Sequence, residues 1–170
     1  MLNKAQIKQL INKKNLITNY INLDIQLTPN GFDLTAEKIF QFSSAGFLDF
    51  SNKERVISKV KEILPKKKST DKYGWWKLKK GIYKVRTNEI INLPNNLIAL
   101  AFSRTSILRI GAFTQHGVWD AGFSGKGEFV LVVQNPTGIN IKQNARIAQL
   151  IFLKIKKTEG YNGIYKKIFI

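Results

Sequence analysis

The stretch from Phe129 to Ile155 reads FVLVVQNPTGINIKQNARIAQLIFLKI. Two apolar runs, Phe129–Val133 and Ile147–Ile155, stand on either side of a polar stretch punctuated by Asn, Pro and Gly. Runs this short, rich in Val, Ile and Phe and bounded by turn formers, are strand signals. The same pattern occurs upstream at Ile82–Val85 and Leu97–Phe102, and it sets in after the turn signal Asn30-Gly31. No strand–helix–strand rhythm accompanies it, which disfavours a parallel α/β sheet. The spacing predicts an all-β sandwich or barrel. One short helix precedes it. In residues 4–14, KAQIKQLINKK, Ile7, Leu10 and Ile11 recur at helical spacing and form an apolar face.

The chain has 170 residues, enough for one domain with a real core. At 44% hydrophobic residues it is too apolar for a disordered basic tail. It has no cysteine, which excludes disulfides, thiol catalysis and Cys–zinc sites, and a single histidine excludes a His-rich metal site. No apolar run approaches the ~18 residues of a membrane span, and the opening MLNKAQIKQL does not read as a signal peptide. A soluble, cytoplasmic protein is expected.

Twenty-eight basic residues against 11 acidic give a formal charge of +17. Such a balance fits a protein that handles a polyanion, whether a nucleoside triphosphate or a nucleic acid. It also fits a genome-wide bias, because 23 of the 28 are lysine. Residues 51–81 hold 11 of them and read as a solvated basic insertion or edge. Trp75-Trp76 alongside reads as a partly buried pair rather than a base-stacking platform. Nucleic acid is therefore not an expected partner.

Three segments carry candidate chemistry. Ser103-Arg104-Thr105-Ser106 ends an apolar run and sets a guanidinium beside two hydroxyls, a good oxyanion binder. In the stretch from His116 to Gly125, Asp120 follows two apolar residues and precedes glycines that let a backbone approach a ligand closely. A carboxylate at a strand end there can take a proton from water, although an aspartate near glycines can also simply cap a turn. In Asn144–Leu150, strand alternation puts Arg146, Ala148 and Leu150 on one face and Ile147, Gln149 and Ile151 on the other. Gln149 is then an inward polar group in need of a partner.

Together with Asn30-Gly31-Phe32-Asp33-Leu34, these segments resemble, in order and spacing, the four motifs of the trimeric dUTPase and dCTP deaminase superfamily. The match runs over about residues 4–155. The resemblance implies a single domain, residues 1–155, folded as a distorted jelly-roll-like β-barrel with its short N-terminal helix at about 4–14. A tail, 156–170, would follow. It further implies a homotrimer with active sites between subunits, a deoxyuridine triphosphate substrate, and Mg2+ arriving with the triphosphate. On this reading Asp120 is the catalytic aspartate that activates water. Arg104, Thr105, Ser106 and Gln149 grip phosphate, and Asp33 meets the metal through water. Phe123 lies under the deoxyribose, and Thr114, Gln115, Gly117 and Val118 form the hairpin that reads the base.

The superfamily runs two chemistries. Its deaminases use a glutamate on the strand after the third motif. That slot falls here on Val132 when counted from Asn135 and on Val130 when counted from Asp120. Without that carboxylate a deaminase lacks its general acid–base. Glu128 shares the face of both valines and could replace it if the extra residues form a bulge. The chain departs from the dUTPase pattern as well. Thr114 stands where many carry Asn, Asn144-Ala145 stands where Gly-Asp or Gly-Glu is usual, and the glycine-rich C-terminal arm is replaced by residues 159–167. In that tail Tyr161 and Tyr165 could stack on a base, and Lys166 or Lys167 could reach phosphate. The expected activity is hydrolysis of dUTP to dUMP and pyrophosphate. The alternatives are a dCTP deaminase or bifunctional deaminase–hydrolase, and a non-enzymatic nucleotide- or nucleic-acid-binding member.

Overall fold

The structure is a computed structural model, described here for residues 1–166. It opens with helix α1, Lys4–Lys14, which starts with a reciprocal capping box between Asn3 and Gln6 and stops at Asn15 in the left-handed conformation. Ile7 and Ile11 are buried and Leu10 packs against the core, as the sequence spacing requires. The Leu2 amide donates to the Phe152 carbonyl at 2.9 Å and ties this end to the barrel.

The strands that follow are β1 (Ile17–Thr18), β2 (Leu27–Thr28), β3 (Gly31–Phe42), β4 (Val60–Ile63), β5 (Trp75–Leu78), β6 (Gly81–Asn92), β7 (Leu97–Ser103), β8 (Ala112–Gln115), β9 (Ser124–Val133), β10 (Ile139–Lys142) and β11 (Arg146–Lys154). Two short helices interrupt them, α2 (Leu23–Gln26) and α3 (Thr105–Arg109). The main sheet runs β7-β11-β3-β6-β9-β8, all antiparallel, with β1, β2 and β4 attached at its margins. It curls until its two ends nearly meet. There the Ser103 hydroxyl of β7 accepts from the Thr114 amide of β8 at 2.8 Å. Alternate residues of the long strands fill the interior, among them Phe32, Leu34, Val85, Leu131, Leu150 and Phe152, all fully buried. Each large side chain so placed contributes roughly 1.5–3 kcal/mol of transfer free energy. The expectation of an all-β barrel with a short N-terminal helix is met.

The basic segment is more structured than a solvated insertion. It supplies β4, which extends the β3 edge, and β5, which pairs with β10 in a separate two-stranded sheet. Trp76 is buried and its indole N–H donates to the Ile63 carbonyl at 2.7 Å. Trp75 faces out, with the Lys142 ammonium 5.4 Å from its ring centroid.

One face assignment is corrected. Arg146 pairs with Thr35 and Ala148 with Leu34, so β11 carries an extra residue at Ile147. The bulge buries Ile147 and Ala148 together and leaves Gln149 half-buried on the outer side, where it donates to the Thr28 hydroxyl at 2.8 Å. Gln149 is not an inward core group.

Candidate active site in two separate pockets

The β2–β3 hairpin, the end of β7 and the start of β11 meet at one pocket of about 280 Å³. Their meeting depends on Gly31. A side-chain carbon there would lie 2.5 Å from the Leu150 carbonyl oxygen, so only glycine lets β3 enter beside β11. The pocket is lined by Thr28, Asp33, Ser103, Arg104, Thr105, Ser106, Arg146 and Gln149. Arg104, Thr105, Ser106, Gln149 and Asp33, far apart in sequence, are thus brought together.

Asp33 is its hub. Its Oδ2 takes ion pairs from Arg104 Nε at 3.0 Å and Arg146 Nη1 at 3.1 Å. Its Oδ1 is buried and has no hydrogen-bond partner among the described residues. Burial pushes the Asp33 carboxyl above its ordinary range, and the two guanidiniums pull the other way. Arg104 is fixed from two further directions: its amide donates to the Ile147 carbonyl at 3.1 Å and its Nη1 to the Arg146 carbonyl at 3.1 Å. Two cations share one carboxylate, so the pocket keeps an excess positive charge suited to an anion. Arg146 was not among the expected site residues. Its signal in the sequence was an arginine three positions before Gln149, and the strand alternation pointed it away from that glutamine's face.

No three acidic, His or Cys side chains cluster among the described residues. An all-protein metal cage is absent from them. A hydrated Mg2+ needs less, commonly one or two carboxylates plus substrate phosphates. The unpartnered Oδ1 of Asp33 leaves one carboxylate oxygen with accepting capacity, so the donor set fits such an ion.

A second pocket, of about 380 Å³, holds Asp120, and the two pockets share no lining residue. Asp120 is exposed and follows an isolated bridge between Trp119 and Ala99 rather than a strand end. The Phe123 amide donates to the Asp120 carbonyl at 3.1 Å, closing a turn that Gly122 completes at φ +78°. Gly117, Val118 and Phe123 join Asp120 in the lining, with Phe42, Ile57 and Phe129 supplying apolar walls. Thr114 and Gln115 are not in it. Strand β8 runs on through Gln115, so Thr114 points into the barrel and Gln115 out to solvent. The Thr114 hydroxyl is used by Ser103 and, at 2.7 Å, by His116 Nε2. Thr114 and Gln115, expected in the base-reading hairpin, thus lie outside the lining of the Asp120 pocket in the single chain.

The tail crosses this second pocket. The Tyr161 amide donates to the Ala121 carbonyl at 2.7 Å, and its ring lies 6.0 Å from that of Phe123. Tyr161 and Tyr165 line the pocket. Lys166 does not; its amide closes a turn onto the Gly163 carbonyl. Lys167 lies outside the described residues. Val130 and Glu128 also line the pocket, and Val132 does not. Glu128 has both oxygens engaged, by Lys84 Nζ at 2.9 Å and Arg86 Nε at 3.0 Å.

A model of the dCTP deaminase-like family matches residues 1–155. The chain is 43% identical over 170 residues to a probable deoxyuridine 5'-triphosphate nucleotidohydrolase of Methanosarcina mazei, covering 98% of this chain and 96% of that one. It is 37% identical to a probable enzyme of the same name from Archaeoglobus fulgidus over 167 residues, covering 98% and 95%. Among solved structures, the 2'-deoxycytidine 5'-triphosphate deaminase of Agrobacterium tumefaciens superposes with a TM-score of 0.62 at 20% identity. It covers 91% of this chain, which spans about half (48%) of that one and shares its fold.

Proposed function

The chain belongs to the dCTP deaminase-like family, and within that family we propose that it hydrolyses dUTP to dUMP and pyrophosphate. Its 37–43% identical relatives, matched over nearly their full length, carry that activity in their names. The observation that carries hydrolysis over deamination is Glu128. Among the described residues it is the one carboxylate on the strand face where a deaminase needs a proton shuttle, and both of its oxygens are already engaged, by Lys84 and Arg86. Asp120, in the same pocket, is free to work on water.

The two pockets explain why the proposal includes a homotrimer. One chain places Asp120 and the phosphate-gripping arginines in pockets that share no residue. A site that binds nucleoside and triphosphate together forms when the Asp120 pocket of one protomer faces the Arg104 pocket of another. There Phe123 supports the deoxyribose, and Gly117 and Val118 face the base. Arg104, Arg146, Gln149 and the Thr105 and Ser106 hydroxyls hold the phosphates. Asp120 accepts a proton from the attacking water as the water's oxygen bonds to the α-phosphorus. The bond from that phosphorus to the bridging oxygen breaks, and pyrophosphate leaves into the arginine pocket. General-base help of this kind is worth on the order of 10²- to 10⁴-fold. Asp33 would hold a Mg2+ through water, and the ion would supply charge neutralisation on the phosphates. No described helix is long and apolar enough to cross a membrane, and a cytoplasmic location forms part of the proposal.

The test is to incubate the protein and Mg2+ with dUTP, dCTP, UTP and dTTP and follow pyrophosphate and ammonia separately. Pyrophosphate from dUTP alone is expected; ammonia from dCTP would reassign Glu128 as a deaminase residue and refute the reading. Mixing Asp120→Asn with Arg104→Ala subunits, each inactive alone, should restore activity, because hybrid trimers contain sites with both residues intact.

A further inference from the structure

Strand β6 buries alternate residues, and two of them, Thr87 and Glu89, are polar in the middle of an apolar face. Glu89 is 0% exposed. An ionisable side chain in that position needs a compensating network, and the network is complete. Glu89 Oε1 accepts from Gln26 Nε2 at 2.7 Å and from the Thr35 hydroxyl at 2.6 Å, and Oε2 accepts from the Thr35 amide at 3.0 Å. The donors' orientations are fixed. Gln26 Oε1 is occupied by the amides of Ile21 and Asn22, so its Nε2 must face Glu89. The Thr35 hydroxyl accepts from Asn88 Nδ2 at 2.9 Å, so its proton points to Glu89.

The location matters more than the burial. Three strand registers slip around this carboxylate: β11 on β3 between Arg146 and Ala148, β3 on β6 between Ala36 and Lys38, and β6 on β9 between Arg86 and Ile90. A slipped ladder leaves backbone groups without partners, and each buried one must find another. Glu89 Oε2 is the partner of the Thr35 amide. From Thr35 the connections reach the phosphate pocket directly. Thr35 lies opposite Arg146. Gln26 Nε2 also donates to the Asp33 carbonyl at 2.9 Å. Asn88, beside Glu89, donates to the Asn144 side chain at the turn that launches β11. The bulge this assembly stabilises puts the Arg146 guanidinium on Asp33 and offers the Ile147 and Arg146 carbonyls to Arg104.

We propose that Glu89 is a positioning residue for phosphate binding: its carboxylate stands in for a missing ladder partner of Thr35 and so holds the slipped β3–β11 register that aims Arg146 and Arg104. The inference rests on the reading of the Arg104 pocket as the phosphate site. It also says why a carboxylate is needed. Glutamine has one accepting oxygen. Placed in either orientation it sets an N–H₂ against the Thr35 amide or against Gln26 Nε2, donor facing donor.

The experiment uses the full chain, with inorganic pyrophosphate as the probe in calorimetry and dUTP in kinetics. Glu89→Gln should raise the pyrophosphate Kd on the order of tenfold, the scale of displacing binding groups by a fraction of an ångström. The KM for dUTP should rise more than kcat falls. Sedimentation must show the same assembly as the wild type. A folded Glu89→Gln with a lower urea midpoint but wild-type pyrophosphate affinity would overturn the proposal, since a purely structural residue gives that result. Should Glu89→Gln fail to fold, Thr35→Val decides: it removes one donor to Glu89 and should weaken pyrophosphate several-fold, and no change refutes the proposal. Wild-type protein that does not bind pyrophosphate would instead remove the phosphate-site reading itself, and this inference with it.

Discussion

His116, the chain's single histidine, should make the protein acid-sensitive in a measurable way. Its ring is packed 4.2 Å from that of Phe129 and 5.7 Å from that of Trp119, and its Nδ1 is buried with no hydrogen-bond partner among the described residues. Burial lowers its pKa from 6.5 to about 4. The unfolded chain, with an ordinary imidazole, binds this proton at a higher pH than the folded one. Stability due to the neutral ring is therefore fully present above the unfolded pKa and is lost as pH falls from there toward the folded value. At 1.36 kcal/mol per unit, the loss from this residue is about 2 kcal/mol between about pH 7.5 and about pH 5. Asp33 and Glu89, raised by burial, act in the opposite direction, because their folded forms take up protons more readily than the unfolded chain. A direct comparison cancels them. Urea unfolding of the wild type and His116→Phe should be followed at both pH values and one protein concentration. The wild type should lose about 2 kcal/mol more than the variant on acidification. Phenylalanine fills the aromatic slot, and Thr114 keeps its Ser103 contact. Equal losses in the two proteins, or a larger one in the variant, would refute the argument. The ring sits just before Gly117 and Val118 in the Asp120 pocket, so wild-type KM for dUTP should rise over the same range.

Asp120→Asn should cut turnover on the order of 10²- to 10⁴-fold with the urea midpoint unchanged, because its carboxylate is exposed; near-wild-type pyrophosphate release would remove it from the reaction. Gly122→Ala should cost about 1–2 kcal/mol from the left-handed backbone alone. The added carbon, 2.6 Å from the Gly160 Cα, should also lift the tail, read as faster proteolysis after Lys156 and Lys157. Asp33→Asn leaves two guanidiniums without their shared charge and should destabilise by about 2 kcal/mol after allowance for the solvent-facing arginines; it should also raise the Mg2+ concentration needed for half-maximal activity. With +17 on every chain, KM for the triphosphate should rise as NaCl is added and kcat should change little.

The parts of this fold legible in the sequence were those governed by local periodicity. Ile7, Leu10 and Ile11 announced α1, the apolar runs at 82–85, 97–102 and 129–133 each fell inside a strand, and the run at 147–155 fell inside β11 but for its last residue. What stayed hidden depended on one irregularity. A single extra residue at Ile147 turns Arg146 from a neighbour of Ala148's face into a partner of Asp33, and simple alternation cannot register it. Glu89 was invisible for the same reason. It sits at an alternate, inward position of β6 where periodicity predicts an apolar side chain, and only the three-strand register slip shows why a carboxylate is tolerated there. The motif residues were readable as types, Arg104 with Thr105 and Ser106 on one side, Asp120 with Phe123 on the other. Their separation into two pockets was not, because spacing along a chain says nothing about which edges of a closed sheet face one another. That separation is the reason a single chain of this sequence is expected to bind pyrophosphate yet fail to turn over dUTP. If dilution to monomers abolishes pyrophosphate release from dUTP while pyrophosphate binding persists, the catalytic unit is the contact between two copies; undiminished turnover per chain by a monomer would refute the composite site.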